Sequence, residues 1–173
     1  MDLYRIFLPL SSNFFQHDEE YSERLPGPAL APYVRCFWGT AGARLRRFGG
    51  DLVIPDTCMD IIFHVDYAGN RLSSVFCALD EHSYRTPASR ESGGRSATFA
   101  IRFYAWTACL FAEDSLQGSV NGRFPPEAFF RRIESALAPL LFDEPTLEGK
   151  AHIAERVLRH LMPPREALRL ARR

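Results

Sequence analysis

Apolar and polar positions alternate cleanly in two stretches of this 173-residue chain, and each alternation predicts a strand. In Ser96–Tyr104, Ala97, Phe99, Ile101 and Phe103 share one face, with Thr98, Ala100, Arg102 and Tyr104 on the other. In Cys58–Val65, β-branched and aromatic residues mix as a pleated, half-buried surface prefers. A side-chain period of two places Met59, Ile61, Phe63 and Val65 together and Cys58, Asp60, Ile62, His64 and Asp66 opposite them. Asp60 then sits between Cys58 and Ile62, so a buried strand would have to give its carboxylate a partner. Arg102, on the polar side of the other strand, is a candidate partner for Asp60 or for Asp56.

Around these two strands the pattern predicts a simple order. Residues 1–10 read as a short opening strand and Ser11 to Pro28 as a polar loop broken by Pro26-Gly27-Pro28. Tyr33 to Trp38 reads as a strand, with Trp38 pointing inward, and Ala41 to Gly50 as a turn carrying Arg44, Arg46 and Arg47. Ala68-Gly69-Asn70 marks a hairpin turn into a strand over Leu72 to Leu79, followed by a polar connection to Gly94. After Tyr104 the period changes from strand to helix. A short helix is predicted over Ala105–Ala112, a second from Pro125-Pro126 through Phe129, Phe130, Ile133 and Leu137, and a third over Leu147–Met162. Strands first and helices afterwards predict an α+β fold: an antiparallel sheet or partly closed barrel over about residues 1–104, then a helical layer over 105–162. Pro163-Pro164 is a natural boundary, which leaves 163–173 as a basic linker stub.

Composition narrows the class. Hydrophobic content of 46% supports a packed core, and a formal net charge of zero advertises neither a nucleic-acid nor a membrane partner. Charge is nevertheless polarised: Asp18, Glu19, Glu20 and Glu23 cluster near one end, and residues 149–173 hold seven basic and two acidic side chains. No run approaches roughly eighteen consecutive apolar residues, so no membrane span is expected. Cys36, Cys58, Cys77 and Cys109 lie in apolar runs without paired short spacings, as reduced thiols of a cytoplasmic protein would.

Candidate chemistry is sparse. Cys58, His64, Cys77 and His82 have none of the compact pairs that structural zinc sites favour, so no metal or other cofactor is expected. Asp56 and Asp60, four apart on one strand, would lie roughly 13 Å apart and cannot form a close dyad. Asp56 is expected to cap the turn after Pro55. An apolar sheet carrying Trp38, Asp56, Cys58, Asp60, His64, Arg102, Tyr104 and Trp106 reads as a ligand pocket rather than a reaction centre. Two alternatives stay open: a barrel-type enzyme acting on a small molecule with Cys58 and His64 or a metal, and a nucleotide-sensing module using Arg44, Arg46 and Arg47.

Three segments carry a resemblance. Leu30-Ala-Pro-Tyr-Val-Arg-Cys-Phe-Trp38, then Val53-Ile-Pro-Asp-Thr-Cys-Met-Asp-Ile-Ile-Phe63, then Phe99-Ala-Ile-Arg-Phe-Tyr-Ala-Trp-Thr-Ala108 resemble, in that order, the sensing domain of one branch of AraC/XylS-type transcription regulators. Thr57 stands where that branch has Gly, and Ala105-Trp106-Thr107 where it has Pro-Gly-Gly. The resemblance implies an effector-binding and dimerisation domain over 1–162 that controls DNA binding by a C-terminal pair of helix-turn-helix units absent from this chain. It implies a small-molecule effector and a homodimer. The stripe Ile153, Val157 and Leu161 on the last helix is the candidate dimer contact.

Overall fold

The computed structural model describes residues 21–41, 52–85 and 96–162. Eight strands lie in this part of the chain: β1 (Tyr21–Arg24), β2 (Val34–Ala41), β3 (Leu52–Val53), β4 (Cys58–Asp66), β5 (Arg71–Cys77), β6 (Tyr84–Arg85), β7 (Ser96–Tyr104) and β8 (Arg123–Phe124). Helices α1 (Ala105–Ala108), α2 (Arg131–Leu141) and α3 (Leu147–Leu161) follow or flank the last strands, with a 3-10 turn at Pro126–Ala128 before α2. Six strands form one antiparallel sheet in the order β1-β2-β7-β4-β5-β8, and β3 pairs with β6 separately. The sheet is not closed among the described residues, so the fold is the expected α+β arrangement in its open form.

Strand alternation decides the rest. Met59, Ile61, Phe63 and Val65 of β4 and Phe99, Ile101 and Phe103 of β7 are buried on one face, as their spacing predicts. Phe37 from β2 and Phe76 from β5 extend that face, and α2 covers it with Ile133, Leu137 and Leu141. Six fully buried phenylalanines anchor the layer; Phe76 meets Phe130 edge-on at 4.8 Å between ring centroids.

Helix α3 packs on the same core through small residues, Ala151 and Ala154, with Leu158. Close approach of helix to sheet is matched on β2 by Gly39, where a Cβ would lie 2.6 Å from the Thr98 carbonyl oxygen and 3.2 Å from Leu147. Thr146 caps α3 by accepting the Gly149 N–H at 3.0 Å. Glu155, buried on the same helix, accepts the Gly27 N–H at 2.6 Å and pairs with Arg24 of β1 at 3.1 Å.

Three predictions need correction. Residues 21–24 form the edge strand β1 rather than part of a loop: Arg24 is held on the helix side by Glu148 and Glu155, which fixes the strand. The helix predicted from Pro125-Pro126 begins only at Arg131, because the segment first makes a 3-10 turn and Phe129 and Phe130 have non-helical backbones. The helix predicted over Ala105–Ala112 is a single turn ending at Ala108, followed by turns. Residues 1–10, the Arg44, Arg46 and Arg47 turn, and the stub 163–173 lie outside the described residues.

Candidate functional site

The face opposite the helices holds the polar half of every alternation. Cross-strand register puts Cys36, Arg102, Asp60, Cys77 and Arg123 in one row across β2, β7, β4, β5 and β8. Glu23, Trp38, Ala100, Ile62 and Val75 form the next row, and Tyr21, Thr40, Thr98, His64 and Ser73 the one after. Residues two apart on each strand therefore supply one continuous surface.

Asp60 and Arg102 are directly opposed in the register and bind bidentately, Nε to Oδ1 and Nη2 to Oδ2, both at 3.0 Å. Asp60 Oδ1 also accepts the Trp38 indole N–H at 2.9 Å, and the Arg102 guanidinium lies 5.9 Å from the Trp38 ring centroid. Tyr21 stacks on the outer side of Trp38 at 5.7 Å and donates its hydroxyl to Glu23 at 2.7 Å. Trp38 thus sits half-buried on the polar face, hydrogen-bonded, rather than in the apolar core.

Asp56 departs from the spacing argument in an informative way. The strand starts at Cys58, so Asp56 lies in the turn before it and is not bound by the strand rise. Its Oδ1 accepts the Cys58 N–H at 2.9 Å, the expected cap, while its Oδ2 comes within 3.6 Å of Arg102 Nη1. Two carboxylates that strand geometry would hold roughly 13 Å apart converge on one guanidinium instead.

Burial sets the electrostatics. It raises the Asp56 carboxyl above its ordinary range; Arg102 and the Cys58 N–H pull back, and Asp60 adds to the rise. For Arg102, burial works against the charge, but Asp60 and Asp56 outweigh it and hold the guanidinium well above its usual value. Burial pushes the Cys36 and Cys77 thiols up to about 12 and the Cys58 thiol also upward. Tyr21 is raised by burial and then by Glu23.

The remaining candidates divide. Tyr104, the cross-strand partner of Cys58, stacks on Trp106 at 4.9 Å, so the indole packs at the Cys58 end of the surface. His64 stands two rows away, its Nδ1 3.2 Å from Thr98 Oγ1; desolvation lowers its imidazole although its outer edge is exposed. Cys58 and His64 are six residues apart on one strand, roughly 20 Å, and the Cys58 thiol is held protonated, so no nucleophile–base pair forms there. No group of three or more His, Cys, Asp or Glu side chains is placed to hold a metal among the described residues. Ile153, Val157 and Leu161 are half-buried against the chain's own core, which leaves only part of the stripe available to a partner.

Sequence reasoning missed three members of this face. Tyr21 and Glu23 fell in a segment read as loop, where four polar or half-polar residues give no apolar alternation to detect. At the far edge Arg123 binds Asp80 bidentately at 3.0 and 2.8 Å and lies 4.7 Å over the Tyr84 ring. Arg123 belongs to a two-residue strand, too short for any periodicity.

Fold and site together define an open antiparallel sheet backed by helices on one side and carrying a paired-charge, aromatic surface on the other. The chain belongs to the family described as Domain of unknown function (DUF6597), which matches residues 22–125. That span takes in every strand of the six-stranded sheet except the first residue of β1, and ends before α2 and α3. No curated protein and no solved structure matches the chain. No helix among the described residues is long and apolar enough to cross a membrane.

Proposed function

We propose that this chain is the effector-binding and dimerisation part of an AraC-type transcription regulator, with its small-molecule ligand on the polar sheet face and DNA read by a separate helix-turn-helix domain. The observation that carries the reading is the meeting of two motif segments. Val53–Phe63 and Phe99–Ala108, apart in sequence, supply the adjacent central strands β4 and β7 and both partners of the Asp60–Arg102 pair. The first segment, Leu30–Trp38, adds the indole that donates to Asp60. A ligand would exert control by binding one of two domain arrangements better than the other.

A thermal-shift screen of the chain against sugars, aromatic acids, metals and nucleotides tests the ligand half. A compound at a hundred times its dissociation constant adds roughly 2.7 kcal/mol of stability. A stabilising compound whose effect is lost in Trp38→Phe and Asp56→Asn, both still folded, is the expected result. A screen in which every shift survives those substitutions would remove the ligand from this face. Sedimentation that shows only monomer at high concentration would remove the dimer.

A further inference from the structure

The six-stranded sheet ends differently at its two sides. Strand β1 is guarded: it is four residues long, Glu23 and Arg24 charge it, and Arg24 is tied to Glu148 and Glu155 of α3. At the other side, β8 pairs with β5 only at Phe76 and Cys77. Residues 71–75 of β5 are laddered to β4 throughout, yet have no strand on their outer side among the described residues. That opening, roughly 17 Å long at about 3.3 Å per residue, contains no proline, lysine or bulge, the usual devices that keep an edge from pairing.

Ala78, just past β5, donates its N–H to the Gly122 carbonyl at 3.1 Å, so its main-chain groups face the β8 side. Facing alternates from residue to residue along an antiparallel ladder, so Phe76, Ser74 and Leu72 face that side too. Phe76 has β8 opposite it; Leu72 and Ser74 direct their N–H and C=O groups into the opening. Ser73 and Val75 turn theirs to β4.

We propose that this opening pairs with the same segment of a second copy, antiparallel about a two-fold axis at Ser73. Ser73 then faces Ser73 of the second copy, Leu72 faces Ser74 and Arg71 faces Val75, so no like charges meet. The Leu72–Ser74 pairs are the hydrogen-bonded ones, and they satisfy every outward main-chain group of the opening. Length selects the copy over an unrelated extended peptide. A guest strand can cover only residues 71–75 before it reaches β8, and there it must turn away. Strand β5 does this, because the turn over 67–70 directly precedes Arg71 and carries the chain back to β4. So short a contact buries less than roughly 1,200 Å², the class of weak, concentration-dependent interfaces. The inference deepens the dimerisation half of the function proposed above and rests on that half alone.

Sedimentation velocity of the full chain across a concentration series tests this, with a melting curve for each variant to confirm folding. The parent should pass from monomer to dimer as concentration rises. Ser73 is exposed. Ser73→Lys and Ser73→Glu, each setting like charges opposite one another at the axis, should weaken association about fivefold, and an equimolar mixture of the two should recover it. Ser74→Pro takes away an outward N–H and spares the β4 ladder, so it should abolish the dimer. In hydrogen exchange, the Leu72 and Ser74 amides should gain protection with concentration, while those of Ser73 and Val75 are protected throughout. A dimer that survives Ser74→Pro and both Ser73 variants overturns the inference and keeps dimerisation through another surface. Weakened single variants that do not recover in the mixture overturn the two-fold pairing. A monomer at every concentration overturns the inference and the dimerisation half together.

Discussion

Asp60 accepts from three donors on two other side chains, and its neighbours leave it little contact with water: its side chain is 14% and that of Arg102 17% exposed. Removing one charge from such a pair strands the other. Asp60→Asn should lower unfolding stability by about 3–5 kcal/mol, while Asp60→Leu with Arg102→Met should recover much of that loss. Urea denaturation of the single and double variants gives the comparison as a coupling energy. Asp56 behaves oppositely. Its folded pKa lies above the unfolded value, so its contribution is fully present below the unfolded pKa and is lost as pH rises through the folded one. Asp56→Asn should therefore be at least as stable as the parent near pH 7, and that advantage should shrink as the pH falls through the folded pKa and be gone below about 4, the ordinary carboxylate range; denaturation curves from pH 7 down through that range supply the check. The thiols differ just as sharply. Iodoacetamide at neutral pH should label exposed Cys109 in the native chain, with Cys36, Cys58 and Cys77 reacting only on unfolding, as peptide mapping would show. At this scale a period of two put Arg102 on the polar side of its strand and made it a candidate partner for Asp60 or Asp56. That it meets both depends on cross-strand register and on the turn before β4, which no strand period fixes.

Elements were legible in proportion to their length. The nine-residue strands β4 and β7 and the fifteen-residue α3 carry enough repeats of their period to be placed within one residue. The four-residue β1 and the two-residue β8 carry none, and both lie at sheet edges, where tertiary pairs such as Arg24–Glu155 and Arg123–Asp80 decide the structure. Proline at 125 and 126 signalled a helix start correctly in kind, but the chain makes a 3-10 turn first and buries Phe130 before α2 begins. The packing of α3 on β2 rests on the absence of a side chain at Gly39. Gly39→Ala would force its methyl against the Thr98 carbonyl and Leu147, costing about 1–3 kcal/mol through displaced backbone, and the midpoint of thermal unfolding would report it.

For the whole molecule, one core joins sheet and helices: Phe76 and Phe103 of the sheet touch Phe130, and Ile133, Leu137, Leu141 and Leu158 close the same cluster. Such an arrangement should unfold as a unit. Both tryptophans lie on the sheet side, so their fluorescence follows the polar face while far-ultraviolet dichroism is dominated by α2 and α3. The two signals should share one melting temperature; separate transitions would divide the sheet from its helical layer. The α+β class was readable from the order of periods along the chain.

Strand β1 also has a mechanical meaning. Arg24 is gripped by α3 on one side of the sheet, and Tyr21, three residues along the same strand, leans on Trp38 from the other. An edge strand has a neighbour on one side only, so it yields to torque more readily than a central one. Two contacts on opposite faces of one edge strand thus join α3 to the Trp38 indole across the thickness of the sheet.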